Sequence, residues 1–272
     1  METIKLTDLL SIAKEAGDAI LEVYDTEFTV ESKADKSPLT LADKRSDEVI
    51  SSALNRLYPE IPILSEEGRS IPFTERQAWE YLWVVDPLDG TKEFIKRNGE
   101  FTVNIALIHN NEPVVGVIYI PVTRIFYFAK RGVGAYKRAY TREMESIEED
   151  NSLLHGSERL PLPDALKRPF TVVASRSHMS HETEEYIDKL KKLHGEVAII
   201  SAGSSIKICM VADGRANVYP RLGPTMEWDT AAGQAIVEEA GGALIDAATE
   251  KAVRYNRENL LNSSFIVHLE KG

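Results

Sequence analysis

Two carboxylates at the end of an apolar run are the residues of this chain best suited to chemistry. The run is Trp83-Val84-Val85, the acids are Asp86 and Asp89, and Gly90-Thr91 follows directly. Together with the carbonyl of Leu88, this turn brings carboxylate oxygens, a backbone oxygen and a hydroxyl close together. Carboxylates held close together away from water are costly unless cations neutralise them. The pattern therefore predicts a site for divalent cations such as Mg²⁺, which prefers oxygen ligands.

Two other interpretations of this turn compete with a metal site. Asp-Pro and Asp-Gly are turn dipeptides, so a stiff strand-to-helix corner would explain Pro87 and Gly90, although not the two acids. An EF-hand calcium loop needs acids at alternate positions, which this spacing does not provide. The N–H groups of Gly90 and Thr91, at the start of a predicted helix, suit a phosphate oxygen.

Glu66 and Asp43 lie at the ends of two elements predicted before this turn. Apolar residues over 61–64 predict a short strand that delivers Glu66 at its end, where α/β proteins often place active-site groups. Asp43 lies in the first turn of a helix predicted over 41–58. The alternatives are a solvated turn at Glu66 and, at Asp43, favourable electrostatics with the helix N-terminus.

Asp229 lies in the first turn of a helix predicted over 228–240, where the same electrostatic alternative exists. The small residues at 231–233 predict that this helix packs closely against another element. Gly116, within a strand predicted over 113–120, similarly indicates a bulge or a close backbone approach. An aspartate on so closely packed a helix is well placed to complete a metal site.

Composition restricts the class of protein. The chain has 272 residues, 43% of them hydrophobic, with no long apolar run and no signal-peptide pattern at the N-terminus, so we expect a globular cytoplasmic protein without a membrane span. A single cysteine, Cys209, cannot form an intrachain disulfide. The net charge of −11 argues against nucleic-acid binding. If the substrate is a phosphate ester, metal ions must therefore supply most of the positive charge.

Periodicity predicts two halves, over 1–155 and 156–272. In the first half, amphipathic helices over 3–24 and 41–58 precede a series of strands with the pattern of an antiparallel meander. In the second half strands and helices alternate, as in α/β layering. The acidic stretch at 142–157 near the boundary predicts an exposed loop or flap. The polar loop from Lys33 to Pro38 is either solvated or lines a phosphate cleft.

Together, these motifs resemble the inositol-monophosphatase superfamily of magnesium-dependent, lithium-sensitive phosphatases. The resemblance covers essentially the whole chain and rests on three segments in the family's order: Leu64–Gly68, Trp83–Phe94 and Trp228–Gly233.

Three further segments resemble the bacterial 3′(2′),5′-bisphosphate nucleotidase branch, which serves sulfate assimilation. Thr91-Lys92-Glu93-Phe94 is typical of it, whereas inositol monophosphatases more often carry Thr-Thr-Asn-Phe. Residues 203–207 and 219–225 also resemble that branch. The acidic stretch at 142–157 is longer than the family pattern predicts.

The resemblance implies a layered α-β-α-β, sugar-phosphatase-like fold, of the α+β or α/β class. A larger mixed sheet would lie in the N-terminal half, a smaller sheet in the C-terminal half, and the site between them. It also implies two or three Mg²⁺ ions, two of them bridged by Asp86. The implied ligands are Glu66, Asp86, the Leu88 carbonyl, Asp89 and Asp229.

The resemblance further implies hydrolysis by a metal-activated water that Asp43 and Thr91 orient and deprotonate. Ser204 and Ser205 could instead cap the helix that follows them, and the two roles are compatible. The implied substrate-binding residues are Glu66, Leu88, Asp89, Gly90, Thr91, Ser204, Ser205, Lys207 and Asp229, with Arg221 as a further candidate.

The predicted reaction is hydrolysis of adenosine 3′,5′-bisphosphate to AMP and phosphate, with the sulfated analogue, 3′-phosphoadenosine 5′-phosphosulfate, left open as a substrate. One alternative is an inositol monophosphatase, and another is a metal-stabilised nucleotide-binding module without catalysis. The predicted partner is a small nucleotide bisphosphate. We expect no nucleic-acid partner, a monomer or homodimer, and a cytoplasmic location, with peripheral association at the inner face of the membrane left open.

Overall fold

A computed structural model of the chain describes residues 4–26, 30–32, 38–147, 149–163, 169–175 and 180–269. Its helices are α1 Leu6–Tyr24, α2 Leu41–Leu57, α3 Phe73–Arg76, α4 Thr91–Ile95, α5 Asp150–His155, α6 His181–His194, α7 Ile206–Ala212 and α8 Glu227–Glu239. Its strands are β1 Val30–Ser32, β2 Pro38–Thr40, β3 Ile63–Ser65, β4 Tyr81–Asp89, β5 Thr102–His109, β6 Glu112–Ile120, β7 Ile125–Lys130, β8 Gly134–Ala139, β9 Glu158–Arg159, β10 Phe170–Ser175, β11 Val197–Ala202, β12 Val218–Arg221, β13 Gly242–Asp246 and β14 Phe265–Leu269. Within these residues, none of the helices is both long and apolar enough to cross a bilayer.

The larger sheet has seven strands, which follow one another in sequence order from β3 to β9. Strands β3 and β4 are parallel and every later neighbouring pair is antiparallel, so the sheet is mixed, as predicted. Because parallel strands end at the same edge of a sheet, the residues that follow β3 come close to the last residues of β4.

The side chains of β4 alternate between two apolar cores. Leu82 and Val84 belong to the core that includes residues of α7, α8 and the smaller sheet, whereas Trp83 and Val85 belong to the core formed with α1 and α2. Side chains of a strand alternate between its faces, and both faces of this strand are covered, which accounts for the continuous apolar run. Asp86 continues this alternation, so it lies on the same face of the strand as Leu82 and Val84.

The smaller sheet has five strands in the order β11-β10-β12-β14-β13. One of its faces packs on α7 and α8, which therefore lie between the two sheets. On its other face, Ile187 of α6 packs with Val172 and Val218 of the sheet. The predicted layering is confirmed, and α6 adds a further helical layer outside the smaller sheet.

The acidic stretch at 142–157 differs from the exposed loop or flap predicted for it. It contains a short 3-10 helix, Arg142–Ser146, and α5, with Leu153 buried. Both carboxylate oxygens of Asp150 accept backbone hydrogen bonds from the first turn of α1, from Leu6 and Thr7, each at 3.0 Å. Most of its described residues are exposed, as predicted, but the stretch is partly helical and caps a helix that precedes it by more than a hundred residues.

The loop from Lys33 to Ser37 lies outside the described residues, and Pro38 begins β2. The division into two halves near residue 155 stays a prediction. The last strand of the larger sheet is β9, and the first strand of the smaller sheet is β10.

Candidate active site

Three carboxylates from three elements meet at the edge where β3 and β4 end. Glu66 follows β3, Asp86 belongs to β4, and Asp229 lies in the first turn of α8. One oxygen from each of these residues lies within 4.8 Å of the others, a spacing that suits ligands of one metal site. The structure thus brings together three of the five predicted metal ligands.

The end of β4 bends so that its second acid also faces this site. Asp86 pairs with Asn104 of β5, and the register then shifts before Asp89. The backbone N–H of Leu88 donates to Asp86 Oδ1 at 3.1 Å, which fixes that carboxylate within the turn. Gly90 has φ 97°, a left-handed conformation that favours glycine.

Asp89 is held by the residues that precede α7. Its Oδ2 accepts hydrogen bonds from the Ser204 hydroxyl and from the Ser205 backbone N–H, both at 2.6 Å. A Cβ at Gly90 would lie 3.3 Å from Ser204 Cβ and 3.1 Å from the Glu100 carbonyl oxygen. Gly90 therefore serves both the turn and this close contact between the two halves.

Asp229 is fixed by its own helix. Its Oδ2 accepts from the backbone N–H of Met226 at 2.7 Å, at the start of α8. The helix also packs as closely as its small residues predicted. A Cβ on Gly116 would lie only 2.3 Å from the Ala232 carbonyl oxygen, so β6 and α8 are in backbone contact. Gly116 thus makes a close approach, one of the two possibilities predicted for it.

The electrostatics of these carboxylates favour a bound cation. Burial raises the pKa of Asp86 well above its usual range, and the charges of Glu66, Asp89, Asp229 and Asp43 raise it further. Burial also raises the pKa of Asp229, followed by the charge of Asp89. Asp86 Oδ2 is buried and has no hydrogen-bond partner within the described residues. A buried carboxylate oxygen without a donor, among like charges, fits a divalent cation.

The two predicted catalytic residues, Asp43 and Thr91, lie in the first turns of two helices near this cluster. Asp43 lies in the first turn of α2 and is only 2% exposed, and its charge contributes to the raised pKa of Asp86. Thr91 begins α4, is half-buried, and its hydroxyl lies 3.5 Å from the Leu88 carbonyl oxygen, towards which it donates. The side chain of Leu88 is itself buried, so only its backbone could serve as a ligand.

A cleft of about 650 Å³, including space open to solvent, adjoins the carboxylates. Lys207 lines this cleft, and burial lowers the pKa of its ammonium group to about 8. Its Nζ donates to the Ser204 carbonyl at 2.6 Å and lies 5.4 Å from the centre of the Tyr219 ring. The cleft is lined by residues that include Asp89, Gly90, Glu93, Ser204, Ser205, Lys207, Tyr219, Arg221, Thr225, Asp229 and Phe265.

Several predicted residues have contacts that the sequence did not indicate. Ser205 precedes α7, but its side chain makes no capping bond, so that alternative is wrong for Ser205. Its hydroxyl instead donates to Asn104 Oδ1 at 2.9 Å and lies 2.8 Å from Thr102 Oγ1. Of the Lys92-Glu93 pair, Glu93 lines the cleft and Lys92 is exposed.

Thr102 and Asn104 are supporting residues that sequence reasoning missed. Both are buried on β5, on the face that continues with Ala106 and Ile108. The Thr102 hydroxyl lies within hydrogen-bond distance of Asn104, Ser204 and Ser205. Two polar residues on an otherwise apolar strand face were the available signal, because buried polar groups need partners.

Comparisons with known proteins find relatives that match nearly the whole chain. A model of the inositol monophosphatase family matches residues 5–270. The chain is 44% identical over 264 residues to the 3'(2'),5'-bisphosphate nucleotidase CysQ of Salmonella typhimurium, covering 96% of this chain and 98% of that protein. It is 43% identical over 266 residues to the protein of the same name from Escherichia coli K12, covering 97% and 99%. The solved structure of CysQ from Bacteroides thetaiotaomicron has a TM-score of 0.88 and 51% identity, covering 97% of both chains.

Proposed function

Because the chain belongs to the inositol monophosphatase family, we propose that it hydrolyses adenosine 3′,5′-bisphosphate, with Mg²⁺, to AMP and phosphate. One observation carries the proposal: a cluster of carboxylates around the buried Asp86 adjoins a cleft that is also lined by two cationic side chains, Lys207 and Arg221. The carboxylates suit cations at the reacting phosphate, and the cationic side chains suit a second phosphate. The relatives named as 3'(2'),5'-bisphosphate nucleotidases support the same substrate class.

Glu66, Asp86, the Leu88 carbonyl, Asp89 and Asp229 are the residues that would hold two or three Mg²⁺ ions. Such ions, when bound, polarise a phosphate ester and lower the pKa of water. Hydrogen bonds hold three of these carboxylates in fixed orientations. Asp86, Asp89 and Asp229 each use one carboxylate oxygen for a hydrogen bond to a nearby backbone N–H, which fixes the direction of the second oxygen.

Asp43 and Thr91 are the residues that would orient the attacking water. The Thr91 hydroxyl donates towards the Leu88 carbonyl, so its oxygen can accept a hydrogen bond from water. The Asp43 carboxylate then accepts the proton that the water loses as its oxygen bonds to phosphorus. The bond between phosphorus and the 3′-oxygen of the ribose breaks, and that oxygen takes up a proton from solvent to give AMP, while Asp43 later returns its proton to solvent.

Lys207 and Arg221 would bind the phosphate that is not cleaved. Arg221 Nε is buried without a hydrogen-bond partner within the described residues, while Nη2 donates to the Pro224 carbonyl. A buried donor without an acceptor is costly, and a phosphate oxygen would satisfy it.

Phosphate release tests the proposal. Adenosine 3′,5′-bisphosphate, its 5′-phosphosulfate analogue and inositol 1-phosphate are each incubated with the chain, with and without Mg²⁺. We expect the fastest release from the adenosine bisphosphate, and only with Mg²⁺. Faster turnover of the inositol ester would favour an inositol monophosphatase. Nucleotide binding without release from any ester would favour a non-catalytic module.

One substitution tests the metal ligands in the same assay. Asp89→Asn should abolish Mg²⁺-dependent turnover while the circular dichroism spectrum stays unchanged. Asp188→Asn is the matched control, since Asp188 lies exposed on α6. Near-normal turnover by the Asp89 variant would contradict the ligand assignment.

We further propose that the enzyme acts in the cytoplasm as a monomer or homodimer. Light scattering coupled to size-exclusion chromatography measures the oligomeric state. Fractionation of cells that express the chain tests the location and any association with the membrane. Recovery of the chain only in the membrane fraction would contradict a cytoplasmic enzyme.

A further inference from the structure

One face of helix α2 points its polar residues at the site. Asp43, Ser46 and Asp47 are spaced so that they share this face. Ser46 is completely buried and Asp47 is half-buried. Ser46 and Asp47, one helical turn after Asp43, each form a hydrogen bond with one of the two strand ends at the site.

Ser46 contacts the middle of the metal-binding turn. Its hydroxyl donates to the Pro87 carbonyl at 2.7 Å. Pro87 stands between Asp86 and Leu88, and the N–H of Leu88 donates to Asp86 Oδ1. The bond from Ser46 therefore fixes the peptide unit that joins Pro87 to Leu88, and with it the direction of the Asp86 carboxylate.

Asp47 contacts the other strand end. Its Oδ1 accepts a hydrogen bond from the Ser65 hydroxyl at 2.5 Å. Ser65 is the last residue of β3 and precedes Glu66, whose own N–H donates to the Val85 carbonyl at 3.1 Å. The side chain of Asp47 thus holds the backbone that carries Glu66, as Ser46 holds the backbone that carries Asp86.

We propose that Ser46 and Asp47 are positioning residues that set the distance between Glu66 and Asp86 for Mg²⁺. This role rests on the proposed function, because it assumes that both carboxylates bind the metal. Like charges at this spacing repel one another before a cation arrives. Two hydrogen bonds made by a single helix oppose that separation and keep the ligands in place. Partners that orient metal ligands in this way typically change metal affinity by about 10–100-fold when they are removed.

Isothermal titration of the metal-free chain with Mg²⁺, without substrate, tests the proposal. Ser46→Ala and Asp47→Ala should each raise the dissociation constant for Mg²⁺ about tenfold or more. Turnover should return towards the wild-type kcat at saturating Mg²⁺, since neither residue touches the substrate. Ser52→Ala is the matched control, because Ser52 lies exposed on the same helix.

Two further variants separate positioning from charge. Asp47→Asn keeps an oxygen that accepts from Ser65, so it should retain nearly wild-type Mg²⁺ affinity. Ser65→Ala removes the same bond from the other side and should match Asp47→Ala. The double variant of Ser65 and Asp47 should then add little to either single change. Equal weakening by the Asn and Ala variants at Asp47 would identify a charge effect and overturn its positioning role.

Thermal unfolding in EDTA provides the readout for a merely structural role. Lower melting temperatures with wild-type Mg²⁺ affinity in the Ser46 and Asp47 variants would overturn the proposal and leave the proposed function intact. Failure of the wild-type chain to bind Mg²⁺ would instead contradict the proposed function, and the positioning role with it.

Discussion

Oxygens of Asp86 and Asp229 lie within 4.8 Å of each other, although Asp86 belongs to the larger sheet and Asp229 to a helix of the C-terminal half. Burial raises the pKa of both carboxyl groups. Holding these two acids together therefore lowers the free energy of unfolding, and this destabilisation is greatest when no cation is bound. Stability without metal and activity with metal should consequently respond in opposite directions to the same substitution.

Asp86→Asn should abolish turnover and raise the melting temperature in EDTA. The amide has no charged form, so it removes the free-energy cost that burial and the charges of Glu66, Asp89 and Asp229 impose on the Asp86 carboxylate. Thermal unfolding in EDTA and phosphate release with Mg²⁺ measure the two effects, with Asp188→Asn as the exposed control. A variant that is less stable than wild type in EDTA would show that repulsion is not the dominant effect.

The raised pKa values also predict how the stability of the metal-free chain varies with pH. The folded carboxyls of Asp86 and Asp229 keep their protons to a higher pH than the unfolded ones, which ionise at about pH 4. The folded state thus binds more protons, so the free energy of unfolding should fall as pH rises from about 4 towards neutrality. Urea titrations in EDTA measure this slope, which should be shallower in Asp86→Asn and largely removed by saturating Mg²⁺.

Lys207 should make substrate binding sensitive to alkaline pH. Because burial lowers its pKa to about 8, the ammonium charge is present below that pH and is lost above it. The KM for adenosine 3′,5′-bisphosphate should therefore rise above pH 8, by at most about tenfold per pH unit. Lys207→Gln should have a high KM that does not change over this range. A wild-type KM that stays constant up to pH 10 would exclude this role.

Thr102 should stabilise the fold and the position of Asp89. Thr102→Val removes a buried hydroxyl with three neighbours, at 2.7, 2.8 and 3.0 Å. We expect a loss of about 1–3 kcal/mol in the free energy of unfolding and a lower kcat, because Ser204 also donates to Asp89. Thr171→Val is the control, since Thr171 is buried and donates to the Pro169 carbonyl at 2.7 Å. That variant should lose stability but keep its kcat.

Asp150 should stabilise α1 without affecting catalysis. Asp150→Ala leaves the N–H groups of Leu6 and Thr7 without their carboxylate acceptors, which should cost about 1 kcal/mol, as for other helix caps. Urea unfolding measures the loss, and Glu149→Ala, an exposed neighbour, is the control. Unchanged stability in the Asp150 variant would mean that water replaces the carboxylate there.

The sequence was most informative where chemistry depends on residues close together in the chain. The order of an apolar strand, two acids, a glycine and a threonine, from Trp83 to Thr91, predicted a strand end that faces a charged site, and the described structure has that geometry. The family and the layered fold predicted from the same motifs were confirmed. The small residues after Asp229 predicted that this helix packs closely against another element. Small side chains allow a close backbone approach, whichever element it is.

Only the tertiary structure decided which distant groups meet. The acidic stretch predicted as a loop caps α1 through Asp150, and the serines before α7 hold Asp89. Helix α2 supports both strand ends through Ser46 and Asp47. Local patterns determine helices, strands and turns because the relevant forces act between near neighbours in the chain. A hydrogen bond between residues far apart in sequence depends instead on how whole layers pack, which no local pattern contains.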